Sequence, residues 1–309
     1  MICVLKRHRA AGALAAAMLV AAFATGSRAQ EQEQPVAKLT GTLAKVNGSG
    51  TITLGYREAS FPFSYLGPAN QPMGYSIDLC QAIVDEIGRE IDKPQLKVAY
   101  LAVTPETRMA AVVSGKIDLE CGSTTNNAER QKQVAFSPIM FVSGTKLMVK
   151  RRSGIKSYHD LKGKVVVVTA GTTNEQVMKR LNEKFQMGAN LISARDHEDS
   201  YSLVVDDKAD AFATDDILLY GLIAHHNAQR DLIVVGDFLS YDPYGIMFRK
   251  NDAPLNDLVV KTFQQLAESR DLVLNYDKWF VRKTPTGERI NLPIGPQLEE
   301  IFRVLGVTD

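Results

Sequence analysis

Hydrophobic positions along this chain follow two rhythms that alternate from about residue 50 onward. Thr51–Gly55 (T-I-T-L-G) predicts a buried strand. Ser76–Ile87 has helical spacing, with Ile77, Cys80, Ile83, Val84 and Ile87 on one side. Pro94 stops that region, and Leu96–Val103 is strand-like. Arg108–Ser114 predicts a helix ended by Gly115, and Ile117–Cys121 the next strand. Phe141–Lys150 is extended. Lys164–Thr169 (K-V-V-V-V-T) is the strongest strand signal, a run expected where both sheet faces are covered. A helix over Asn174–Phe185 follows, then short strands at Leu191–Ala194, Ala211–Thr214 and Leu232–Val235, separated by helical segments. Pro243–Phe248 is again strand-like, and Leu255–Ala267 and Leu272–Phe280 close the pattern as helices.

Strands alternating with helices argue for α/β sheets with covered faces. Two segments also echo one another. Ser114–Leu119 and Asp207–Phe212 each set Lys and Asp before a short apolar strand that enters a polar turn. The echo fits two similar halves, and equally the shared composition of α/β segments.

The N-terminus changes the picture. Lys6, Arg7 and Arg9 precede an apolar run, Ala10–Ala24, and small residues stand at Ser27 and Ala29. This is the pattern of a signal peptide, residues 1–29, cut after Ala29. The run is short for a membrane span, which needs about 20 residues. No Cys follows the cut, which argues against a lipid anchor. Residues 30–43 read as a flexible leader. Removing 29 of the 309 residues leaves 280, which suggests two lobes rather than one core.

Lys6, Arg7, Arg9 and Arg28 leave with the signal, so 32 basic side chains remain against 35 acidic ones. That balance offers no electrostatic footprint for nucleic acid or an anionic membrane. Cys80 and Cys121 remain. A secreted chain permits a bridge between them, and a buried free thiol on the apolar helix face is the alternative.

Polar turns stand at four expected strand ends, where open α/β sheets bind ligands. They are Gly55–Glu58, Gly122–Thr125 with Arg130 downstream, Gly171–Thr173 opening a helix, and Thr214–Asp216. A helix start favours an anion, although Thr172 or Thr173 serves equally as a plain N-cap. An arginine fits a carboxylate and an aspartate accepts from an ammonium. Together these make a receptor for a zwitterion. Enzyme and metal readings fare worse. Ser123, His197 and Asp215 lack a G-x-S-x-G elbow. His225 and His226 are adjacent, point apart on a helix and lack a third ligand. No catalytic residue, metal or cofactor is expected. Lys150-Arg151-Arg152 reads as a solvated basic turn.

Longer strings carry a resemblance: G-Y-R-E-A-S-F-P-F-S-Y, E-C-G-S-T-T-N-N-A-E-R-Q-K-Q-V-A-F-S, D-L-K-G-K-V-V-V-V-T-A-G-T-T and S-A-R-D-H-E-D-S. From about Leu39 to the C-terminal helices the chain resembles the periplasmic amino-acid-binding proteins of ABC importers, most of all those that take glutamate and aspartate. The resemblance implies a type II periplasmic-binding-protein fold, two α/β lobes with a ligand cleft and a two-strand hinge. The first lobe would hold residues 44–143 and 244–309, the second residues 144–243.

By position, Arg130 matches the clamp on the ligand α-carboxylate, with Thr173 donating from the second lobe. Ser123 and Thr125 line the same end, and Asp215 matches the acceptor for the α-ammonium. Arg57, Arg108 and His197 match the groups that take the side-chain carboxylate. The residue count agrees, because one α-carboxylate needs one arginine and the other cations imply a second negative charge. Two surface arginines with acidic neighbours are the plainer alternative for Arg57 and Arg108. Pro105 stands where the family pattern has a serine, and proline has neither hydroxyl nor N–H, so one contact of that pattern, on which the glutamate–aspartate preference bears, is missing. The implied protein is a periplasmic monomer that binds L-glutamate and L-aspartate, delivers them to permease subunits and performs no bond chemistry. The alternative on the same fold is a cyclohexadienyl dehydratase-like enzyme, told apart by a general acid in place of an amino-group acceptor.

Overall fold

The computed structural model describes residues 39–308. The expected signal peptide and the leader as far as Lys38 lie outside the described residues. The expected leader reached Leu43, but a helix, Gly41–Ser49, already begins inside it. Asp252 is the reason. Its Oδ2 accepts from the Thr42 backbone N–H at 2.8 Å and from Thr42 Oγ1 at 2.7 Å, tying down the first turn. Leu43 and Val46 then join the core.

Two five-stranded sheets form the body. The first runs in the order Lys97–Ala102, Thr51–Tyr56, Leu119–Glu120, Met247–Arg249, Val134–Phe136. The second runs Asn190–Ala194, Val165–Thr169, Ala211–Asp215, Thr145–Lys150, Leu232–Val235. In each, the earliest strand of the parallel trio lies in the middle, and the fourth strand is antiparallel.

The sequence echo marks a real equivalence. Asp118 N–H donates to Thr53 O at 2.8 Å and Asp118 Oδ2 accepts from Thr53 N–H at 2.9 Å. Asp210 N–H donates to Val165 O at 2.8 Å and Asp210 Oδ2 accepts from Val165 N–H at 2.8 Å. Each aspartate thereby sets the register of its strand on the central one.

The valine run behaves as its pattern requires. Val166 and Val168 pack with Leu147 and Met178 on one face, and Val167 with Met148 and Phe212 on the other. The first sheet packs on a larger core rich in aromatics, including Phe63, Tyr75, Phe141, Tyr276, Trp279 and Phe280. A disulfide joins Cys80 to Cys121, Cα atoms 6.1 Å apart, so the bridge prevails over the free thiol.

The chain passes between the sheets twice. Phe141–Ser143 pairs antiparallel with Asp242–Tyr244, giving the two strands of a hinge. A Cβ at Gly144 would lie 2.2 Å from Ser240 O, so the crossings run too close for any larger residue there. The Pro296–Leu305 helix, absent from the sequence expectations, packs Leu298 and Phe302 onto the first lobe's core.

Candidate functional site

The C-terminal ends of the central parallel strands of both sheets face one another across the hinge. Arg57 directly follows the Thr51–Tyr56 strand. Its backbone is held by Ser64, whose Oγ accepts from Arg57 N–H at 2.8 Å. The side chain is buried, and both Nη atoms are buried without a hydrogen-bond partner. Burial, then the neighbouring Arg108, pulls its pKa down to about 9, with Glu120 acting in the opposite direction. It stays cationic at neutral pH.

Arg108 opens the Arg108–Val113 helix and is also buried. Its Nη1 donates to Thr124 Oγ1 at 2.5 Å and lies 4.0 Å from Glu120 Oε1, while its Nε has no partner. Thr124 Oγ1 in turn donates to Glu120 Oε2 at 2.5 Å. Gly122 makes this packing possible, since a Cβ there would lie 2.4 Å from Glu120 Oε1 and 2.9 Å from Arg57 Cγ. The alternative of two surface arginines therefore fails.

Ser123 Oγ is buried without a partner. Arg130 lies in the short Ala128–Gln131 helix, capped by Asn127 Oδ1 at 2.9 Å from Arg130 N–H. Its Nη1 donates to Thr125 O at 2.9 Å, and burial followed by Arg108 brings its pKa to about 9.

The second lobe supplies different chemistry. Thr172 is the N-cap of the Thr173–Lys184 helix, its Oγ1 accepting from Glu175 N–H at 3.1 Å. Thr173 is thereby free to turn into the cleft, where it meets Thr125 Oγ1 at 3.1 Å. His197 is the first residue of the His197–Val205 helix and is buried, with Nδ1 2.9 Å from Thr169 Oγ1. Burial, then Arg57 and Arg108, holds its pKa well below the usual histidine value.

Asp215 ends its strand fully buried. Asn174 Nδ2 donates to its Oδ1 at 2.8 Å, and Tyr244 OH donates to Oδ2. Burial, then Asp242, raises the Asp215 pKa well above the usual carboxylate value.

All eight residues expected from the sequence thus converge on one cleft, and four further groups stand among them. Glu120 is a fully buried carboxylate bearing on all three arginines. Asp242, in the hinge, accepts from Thr125 Oγ1 at 3.1 Å and Thr173 Oγ1 at 3.0 Å, joining the lobes. Asn174 and Tyr244 engage Asp215. A sequence signal existed for Glu120 alone, an acid inside the apolar run Ile117–Cys121. Thr104 and Thr107 do not replace the hydroxyl missing at Pro105: they bond one another, Thr104 N–H donating to Thr107 Oγ1 at 2.9 Å. His225 and His226 are spent on Glu288 at 2.9 Å and Glu198 at 2.8 Å. No cluster of metal-ligating side chains occurs among the described residues.

This geometry can hold a small zwitterion with an additional negative charge. The comparisons with known proteins agree with it. The family described as bacterial extracellular solute-binding proteins, family 3, matches residues 52–282. An L-glutamate/L-aspartate-binding protein of Pseudomonas aeruginosa is 46% identical over 267 residues, 86% of this chain and 88% of that protein. A glutamate/aspartate import solute-binding protein of Salmonella typhimurium is 40% identical over 291 residues, 94% of this chain and 96% of that protein. Among solved structures, an ancestral amino acid-binding protein described as a precursor of cyclohexadienyl dehydratase matches with a TM-score of 0.67 at 30% identity, covering 77% of this chain and 99% of that one.

Proposed function

The chain belongs to the bacterial extracellular solute-binding proteins, family 3, and we propose that it captures L-glutamate or L-aspartate outside the cytoplasm, in the periplasm, for an ABC importer. One observation carries the choice of an acidic ligand. Arg57 Nη1 and Nη2, Arg108 Nε and Ser123 Oγ are buried donors without partners, grouped in one cleft. Leaving a buried charged donor unpaired costs several kcal/mol, so a neutral side chain at this place is disfavoured. A second carboxylate satisfies the two arginines, and the α-carboxylate Ser123.

In this reading Arg130, Ser123, Thr125 and Thr173 hold the α-carboxylate. Asp215 takes the α-ammonium, which favours its ionised form and so offsets the burial that raises its pKa. Arg57, Arg108 and His197 hold the side-chain carboxylate. The cleft performs no bond chemistry. Binding energy closes the lobes about the hinge, and the closed form is what permease subunits recognise. The protein acts as a monomer, exported by the signal peptide at residues 1–29. The two curated relatives described above are solute-binding proteins, which favours binding over dehydratase chemistry.

A thermal-shift panel across the amino acids tests the reading. A ligand at about 100 times its Kd adds about 2.7 kcal/mol of stability. A shift with glutamate and aspartate and none with neutral or basic amino acids is the expected result. A shift with arginine alone, or turnover of prephenate or arogenate, overturns it.

A further inference from the structure

The side-chain end of the cleft contains a chain of hydroxyls whose protons can be counted. Ser200 Oγ donates to the Asp196 carbonyl oxygen at 2.8 Å, which uses its one proton, since a carbonyl cannot donate. Ser200 Oγ also lies 2.9 Å from Thr169 Oγ1, and in that bond the proton must come from Thr169. Thr169 Oγ1 lies 2.9 Å from His197 Nδ1, and with its own proton already spent it can only accept. His197 Nδ1 therefore carries a proton. In the neutral ring the other nitrogen, Nε2, is then a lone pair.

A lone pair suits an N–H donor and repels a carboxylate oxygen. The charged side chains bearing on the ring are Arg57 and Arg108, both cationic. Glu120 offsets part of the field of the two arginines and is held by Thr124, and the other charges around the ring are engaged elsewhere. Asp196 caps the helix and pairs with Arg195, Glu198 pairs with His226, and Asp215 is held by Asn174 and Tyr244. Thr169 and Phe212, from the strands beneath, carry no charge. The helix start adds a further positive field. Without a ligand anion the ring thus stays neutral beside Arg57 and Arg108, in keeping with its depressed pKa. A carboxylate set against Arg57 and Arg108 cancels that field and makes protonation of Nε2 favourable.

Resting on the acidic-ligand reading above, we propose that Thr169 and Ser200 are positioning residues that fix the His197 tautomer, so that an acidic amino acid is bound with uptake of a proton at His197 Nε2. The preference of the cleft for a carboxylate over its amide then depends on pH. The bound-state pKa of His197 exceeds the free-state one. The extra affinity is fully present at low pH and is lost as pH rises through the bound-state value, by up to about tenfold per pH unit.

The test is calorimetric titration with L-glutamate in two buffers of different ionisation enthalpy, on the wild type, Thr169→Val and Ser200→Ala. In the first variant Nδ1 loses its acceptor. In the second Thr169 is free to donate to Nδ1. Either change lets a neutral ring present Nε2–H to the carboxylate. Any proton released by Asp215 is common to all three proteins and cancels in the difference. The expected result is roughly one more proton taken up by the wild type than by whichever variant folds, with glutamate still bound by both. Equal proton counts with intact binding overturn this proposal alone. Absence of glutamate binding by the wild type overturns the acidic-ligand reading, and this proposal with it.

Discussion

In the first lobe Glu120 stands beside Gly55 of the central strand, and in the second Phe212 stands beside Val167 at the equivalent place. The sheets around these positions share strand order, and Asp118 and Asp210 fix the two registers by matching pairs of bonds. What grows from the strand ends is opposite in character. The first lobe gathers three guanidiniums over one buried carboxylate. The second offers hydroxyls, a neutral His197 whose ring lies 6.2 Å from that of Phe212, and Asp215. One backbone plan therefore tolerates a charged and an apolar residue at the same register.

The largest expected effect separates these two positions. Glu120→Ala leaves Arg57, Arg108 and Arg130 without their shared anion and should cost about 3–5 kcal/mol of stability. Phe212→Ala should cost about as much, about 3–5 kcal/mol, through a cavity. Denaturant melts with and without glutamate tell them apart. Ligand carboxylate should recover part of the Glu120→Ala loss beyond the wild-type ligand increment, and none of the Phe212→Ala loss. Equal recovery would show that Glu120 is ordinary core.

Next in size, the disulfide belongs to the first lobe alone. It closes a loop across a sequence separation of 41 residues, and replacing Cys80 and Cys121 by Ala should cost about 2–4 kcal/mol. The second sheet lies in residues 145–235, which contain no cysteine. Hydrogen exchange in reductant should accelerate in the Tyr75–Glu90 helix and leave Val165–Thr169 protected. Uniform acceleration would mean that the lobes unfold as one unit.

A smaller effect concerns the contact between lobes. Gly171 has φ +75°, and a Cβ there would lie 2.8 Å from the Glu106 backbone nitrogen across the cleft. Gly171→Ala should raise the cost of closure by about 1–3 kcal/mol, as overpacking does. Weaker glutamate binding with an open solution-scattering profile is the expected outcome, and wild-type affinity would count against closure as the coupled step.

Much of the scaffold was legible because its signals are local. The valine run Val165–Val168 declares burial and Leu232–Val235 a strand by composition, and Leu255–Ala267 declares by its spacing the helix found at Ala253–Glu268. The Gly41–Ser49 helix was not legible, because its first turn is fixed by Asp252, 210 positions from Thr42. The eight site residues were named by matching motifs, and composition alone would not have grouped them. Asp242, Asn174 and Tyr244 escaped because each is an ordinary residue type whose role exists only once the hinge brings Asp215, Thr125 and Thr173 together.

By itself the sequence determined the α/β class, most strand and helix positions and the residues that carry charge, since propensity, periodicity and motif strings act over short spans. The tertiary structure decided what those charges meet. Arg57, the segment from Arg108 to Arg130 that holds Glu120, and Asp215 lie far apart in the chain, and only folding removes them from water together. Likewise Cys80 and Cys121 could be read as thiols or a bridge until their Cα atoms came within 6.1 Å. The proton on His197 follows from a neighbour's neighbour, Ser200 through Thr169, a relation that requires three side chains at hydrogen-bond distance.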